Sequence, residues 1–357
     1  MRINKLDGLR GVFCLMLIFF HYDTRFLPNY LADFFVFRES YIFVDFFFVL
    51  SGFVISYNYS NLNSFSDFKG YIKKRFIRLF PLLFYSTTVF LFVDIAFNEF
   101  FPQYIDSKDS LSQLLLWYSD SVLFLNGIFI NTSSNGLNGV SWSISAEMIA
   151  YIVFAVITLL FKNRIKNIAF LILLAFCYFF LFNLQKFIVM GDYGFIRGVL
   201  SFILGYFVSV LFLRNYTWDR YWEYALFVGL LLELYVSHQL FGAQKEMFLL
   251  FAFPISFAFV ILVLLNSDGV VSSFLNTKFI QYLGKLSYSI YLNHLIILLL
   301  FPNFMFRFIF TSSSDVIKIV VFISTFFIVI FYSKLTNTYI ENKGKILLNK
   351  LFSITTK

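Results

Sequence analysis

Long apolar stretches separated by short polar ones set the pattern of this chain. Runs near 11–27, 41–57, 79–97, 111–130, 141–161, 167–184, 194–213, 222–241, 247–265, 283–301 and 316–336 each approach the roughly 20 residues that a helix needs to cross a bilayer. The run at 111–130 is the weakest, because Ser112, Gln113, Ser119, Asp120, Ser121 and Asn126 are polar for a face in lipid. Charge between the runs decides its fate. With Arg2, Lys5 and Arg10 placed in the cytoplasm, the second loop is cytoplasmic and carries Lys69, Lys73, Lys74, Arg75 and Arg78. If 111–130 crossed the membrane, Lys162, Arg164 and Lys166 would fall outside. If it does not, that cluster, Arg214 with Arg220, Lys278 with Lys285 and the Lys-rich tail all fall inside. The expectation is therefore an all-α bundle of ten spans with both ends cytoplasmic. The segment 111–130 is then an interfacial or re-entrant element.

Composition agrees. Hydrophobic residues make up 60% of the 357, aromatic residues 23% and charged ones 13%, against about a quarter charged in a soluble domain. That excludes a disordered chain, a secreted disulfide scaffold and a cytosolic enzyme. The net charge of +8 follows from cytoplasmic loops rather than nucleic-acid binding. Cys14 and Cys177 lie in apolar runs without a CxxC partner, so neither a disulfide nor a metal site is expected. The start, MRINKLDGLRGVFCLMLIFFH, has the basic-then-apolar order of a signal peptide but no small-residue cleavage site. It reads as a retained first span. One membrane domain over 1–357 is expected, with no appended soluble domain.

Ionisable groups at membrane depth are costly and mark function by default. Arg10 lies at the inner mouth of the first span and His21 eleven residues on. That is close to three turns, which puts both on one face about 16 Å apart. Asp45 opens the second span at a depth that would bring it beside His21, where a carboxylate would orient the ring. Taken alone, it also fits a helix N-terminal acid favoured by the dipole. Ser51-Gly52 suits close helix approach better than catalysis. Arg75 and Arg78 share a helix face before Pro81 and suit a phosphate-bearing ligand, although topology and anionic lipid also account for such clusters. Glu147, with Trp142 and Ser143 above it, enters the fifth span, and Asn293 and His294 lie near the middle of the tenth.

Together these segments resemble the membrane acyltransferase-3 family from about residue 4 to residue 341. The resemblance is carried by LDGLRG (6–11), the Arg10-x10-His21 spacing, VDFFFVLSGF (44–53), RFIRLFP (75–81), SWSISAE (141–147), LGKLSYSIYLNH (283–294) and YIE (339–341). It implies a bacterial inner-membrane enzyme of ten spans that moves an acyl group, usually acetyl from acetyl-CoA, to a sugar of a surface polysaccharide. Lipopolysaccharide O-antigen is the default acceptor. It further implies His21 as the catalytic base, with Asp45 and Glu147 as supporting carboxylates. Arg10, Arg75 and Arg78, with Lys74 beside them, become acyl-CoA contacts. Trp142, Ser143, Asn293 and His294 become acceptor-side or supporting residues. Expected partners are acetyl-CoA as donor substrate, a glycan or lipid-linked sugar and membrane lipid, with no permanently bound cofactor, metal or nucleic acid. A transporter or flippase of a glycan intermediate or small anion is the alternative, because intramembrane charge also marks transport paths. A structural or assembly partner, whose charges serve only topology, is a third.

Overall fold

The computed structural model describes residues 3–104, 108–128, 136–212, 218–310 and 314–352, and among these there are helices and no strands. Ten long helices occupy the ten expected positions. They are α1 (Asn4–His21), α2 (Phe43–Asn58), α3 (Phe65–Phe100), α5 (Trp142–Leu160), α6 (Asn163–Leu184), α7 (Gly194–Phe212), α8 (Tyr221–Gln239), α9 (Gly242–Asn266), α10 (Lys278–Phe304) and α11 (Asp315–Thr336). Eight regions are long and apolar enough to cross a membrane by length and composition. The two outside that set are α1, with Lys5, Asp7 and Arg10 in its first two turns, and α8, with Glu223, Glu233 and His238.

Segment 111–130 forms only the 12-residue helix α4 (Leu111–Val122), about 18 Å of rise and too short to cross. Ser110 caps it by accepting from the Gln113 amide at 3.2 Å. Residues 129 and 130 lie outside the described residues. At 36 residues, α3 spans about 54 Å, far more than the roughly 30 Å hydrocarbon layer. Its basic first half therefore extends beyond a span. A capping box starts it: Ser64 accepts from the Asp67 amide at 3.1 Å, and Asp67 accepts from the Ser64 amide at 3.0 Å.

The basic loops gather at one end of the bundle. Lys162 donates to the Leu62 carbonyl and Lys166 to that of Ser60. Lys5 meets Asp268 at 2.8 Å, and Lys73 reaches the Phe352 carbonyl next to the last helix, α12 (Lys343–Leu351). The segments that the charge pattern places together are together in space. Acidic residues mark the opposite end, where Glu39 pairs with Lys245 at 2.8 Å and Glu246, in the first turns of α9, accepts from the amides of Phe187 and Ile188.

Two seams position the site. Where α1 crosses α10, a Cβ on Gly284 would stand 2.0 Å from the Asp7 carbonyl oxygen, and one on Gly11 would stand 2.6 Å from the Gly284 nitrogen. Where α2 crosses α7, a Cβ on Gly52 would stand 1.9 Å from the Phe202 oxygen, and one on Gly205 would stand 1.9 Å from the Val49 oxygen. Backbone meets backbone at both crossings, a packing that small residues permit in membranes. The close approach expected at Ser51-Gly52 is thus present.

Candidate active site

A cavity of about 160 Å³ opens among α1, α2, α3, α5 and α10. Ile3, Tyr57 and Asn58 line it near the basic end, and Phe47, Ser143 and Tyr291 line its inner part. Polar groups concentrate between them: Asp7, Arg10, Ser51, Arg78, Glu147 and Tyr288. Arg10 lies 3.5 Å from Asp7, one turn earlier on α1. Glu147 accepts a hydrogen bond from Ser51, which ties α5 to α2, and another from Tyr151 one turn on in α5. Among the described residues, Arg78 makes no hydrogen bond or ion pair, so its charge is open to whatever enters. Tyr288 donates to the Leu79 carbonyl at 2.7 Å. Tyr291 is held at the inner part by Ser143 at 2.7 Å and by the Val140 carbonyl at 3.1 Å.

His21 is not among the residues that line this cavity. It is the last residue of α1, and its Nδ1 lies 2.9 Å from the Leu17 carbonyl and 3.1 Å from Nε2 of His294. His294 follows Tyr291 by one turn of α10, with ring centroids 6.0 Å apart. Because α1 is one uninterrupted helix, Arg10 beside the cavity and His21 beyond it keep the roughly 16 Å rise that their spacing implies.

Several expected neighbours sit elsewhere. Asp45 does not adjoin His21. Its carboxylate is held by Arg197 of α7, whose Nε lies 3.0 and 3.1 Å from the two carboxylate oxygens, and by Ser201 at 3.1 Å. Both members of the pair are buried, at 0% and 2% exposure, and the guanidinium also lies over Phe187 and Trp142. Asp45 meets the need for a counter-charge in an apolar seam, and the cation that satisfies it comes from α7 rather than from the histidine. Trp142 therefore packs on that pair instead of facing the cavity. Arg75 sits among the rings of Tyr59, Tyr71 and Tyr151 at 5.4 to 5.9 Å and does not line the cavity. Lys74 is exposed on α3. Asn293 turns to α11 and donates to Thr336 at 2.7 Å. The structure thus brings Arg10, Arg78, Ser143 and Glu147 to one cavity, and His21 and His294 to each other.

Arg197 is the residue that sequence reasoning missed. Its signal was present: a lone arginine in the apolar run 194–213 needs a buried acid, and Asp45 was an equally isolated acid. Glu39 was missed too. It is 3% exposed and receives Tyr41, Ser237 and Lys245 at the end of the bundle opposite the basic loops.

No solved structure matches this chain. A protein of Acidianus two-tailed virus named "Putative acetyltransferase ORF330" is 26% identical over 314 residues, covering 82% of this chain and 82% of that protein. The sequence model of the acyltransferase-3 family, described as an acyltransferase domain, matches residues 3–335. That match runs through both glycine seams, the cavity and the histidine pair, and on it the chain belongs to the acyltransferase-3 family.

Proposed function

We propose that this acyltransferase moves acetyl from acetyl-CoA to a hydroxyl of a surface polysaccharide sugar, with lipopolysaccharide O-antigen the favoured acceptor. We place it in a bacterial inner membrane with the basic end of the bundle in the cytoplasm. One observation carries the reading. Arg10 and Arg78 line a cavity near the basic end, and the inner part of that cavity lies one helical turn from the His21–His294 pair. A nucleotide thioester is an anionic head on a thin arm, and this arrangement suits it. Guanidiniums hold phosphate oxygens by charge-assisted hydrogen bonds, and the arm follows α1 inward for about the 16 Å that separate Arg10 from His21.

In the transfer, His21 takes the proton of the acceptor hydroxyl as its oxygen attacks the thioester carbonyl. The carbon–sulfur bond breaks, and CoA leaves as the thiolate. Glu147, with its hydrogen bonds from Ser51 and Tyr151, balances the two arginines without neutralising Arg78 by direct contact. Mass spectrometry of surface glycans from cells with the gene, without it and with His21→Ala tests the reading. Loss of one acetyl increment in both altered strains is expected. Glycans that keep their acetyl groups in both would overturn the acceptor assignment.

A further inference from the structure

The hydrogen bonds around the two histidines fix their protons. Nδ1 of His294 lies 2.7 Å from the Tyr291 carbonyl and 3.2 Å from that of Ile290. Carbonyl oxygens only accept, so Nδ1 of His294 carries a proton. The ring is fully buried, at 0% exposure, and among the described residues no carboxylate is hydrogen-bonded to it. Its Nε2 faces a nitrogen that the Leu17 carbonyl requires to be a donor, so Nε2 carries the lone pair and the ring is neutral. That lone pair faces Nδ1 of His21 at 3.1 Å, and the same Nδ1 faces the Leu17 carbonyl at 2.9 Å. Both neighbours accept, so His21 carries its proton on Nδ1, and its own lone pair is left on Nε2.

We infer that His294 is the positioning partner of His21: together with the Leu17 carbonyl it accepts from Nδ1–H and so holds the tautomer whose Nε2 receives the acceptor's proton. The inference rests on the reading of His21 as the base. A carboxylate commonly holds this place beside a catalytic histidine, but Asp45, which the sequence offered for it, is committed to Arg197. A neutral imidazole does the orienting without bringing another charge into the membrane interior. When His21 accepts a proton on Nε2, its Nδ1–H becomes a cationic donor to His294, and that hydrogen bond strengthens. Proton and charge stay on His21 until CoA thiolate or solvent takes the proton up.

The chain has three histidines, so the full-length protein with 15N-labelled histidine and His238→Asn gives a spectrum of two rings. The expected result is His21 as the Nδ1–H tautomer in otherwise wild-type protein. In His294→Phe only the Leu17 carbonyl remains on Nδ1, so the Nε2–H tautomer of His21 should become detectable beside the Nδ1–H form, and kcat should fall at least ~10-fold with the KM for acetyl-CoA unchanged. His294→Gln, whose amide oxygen can accept from Nδ1–H, should recover most of kcat. A wild-type His21 protonated on Nε2, or a His294→Phe protein with wild-type kcat and an unmixed tautomer, would overturn the inference. The base assignment fails separately, through turnover that survives in His21→Ala whatever the tautomer spectrum shows.

Discussion

The α2–α7 seam and the cavity between α1, α3, α5 and α10 both bury charge, but they differ in how completely it is satisfied. In the seam, Asp45 and Arg197 face each other with Ser201 on the carboxylate and aromatic faces on the guanidinium. In the cavity, Arg10 has a distant pairing with Asp7, Glu147 has two hydroxyl donors and Arg78 has no direct partner among the described residues. A closed pair is how a bundle tolerates charge while holding two helices in register. Open groups around a void are left for a ligand. The depth of a charged residue in a membrane does not separate these roles; the completeness of its contacts does.

The comparison breaks most visibly at the pair. Asp45→Ala leaves Arg197 charged and unpaired, and should cost about 3–5 kcal/mol, seen as a large fall in melting temperature and in folded yield from detergent. Pairing Asp45→Leu with Arg197→Met should recover most of the loss, because a closed ion pair is replaceable by apolar packing. A single variant that melts like wild type would mean that the seam is not closed. Next in size is the α1–α10 crossing. Gly11→Ala pushes a methyl into the Gly284 backbone, and overpacking of this kind costs about 1–3 kcal/mol, again read from melting.

In the cavity the effect should appear in ligand use rather than stability. Arg78→Ala should raise the KM for acetyl-CoA about tenfold, the equivalent of one charged hydrogen bond, with an unchanged melting temperature. The smallest effect is expected at Lys74, four residues earlier and exposed. Lys74→Ala should leave KM within about twofold of wild type, since an exposed charge contributes little. Equal losses at Lys74 and Arg78 would show that bulk positive charge, not a lined cavity, draws the donor.

Much of this was legible in the sequence. The ten long helices stand where the apolar runs stand, and eight regions are long and apolar enough to cross a membrane. The polar residues of 111–130 correctly separated a short helix from a crossing one. Arg10, Arg78 and Glu147 stood out in the sequence, and the structure brings the three to one cavity. Pairings across the bundle were not legible. Asp45 and His21 are close in a simple hairpin, yet Asp45 finds Arg197 some 150 residues away because α7 packs along α2 at the Gly52–Gly205 crossing. Arg75 and Arg78 look equivalent in the sequence. Only Tyr59, just past α2, with Tyr71 of α3 and Tyr151 of α5, shows that one guanidinium is boxed by rings while the other lines the cavity.

Acetyl transfer by the purified protein tests the central claim most directly. Wild type and His21→Ala, matched in amount and melting temperature, are given acetyl-CoA labelled in the acetyl group and surface glycan from cells lacking the gene. The account predicts labelled glycan and free CoA with wild type and neither with His21→Ala. Equal labelling by the two proteins would contradict it.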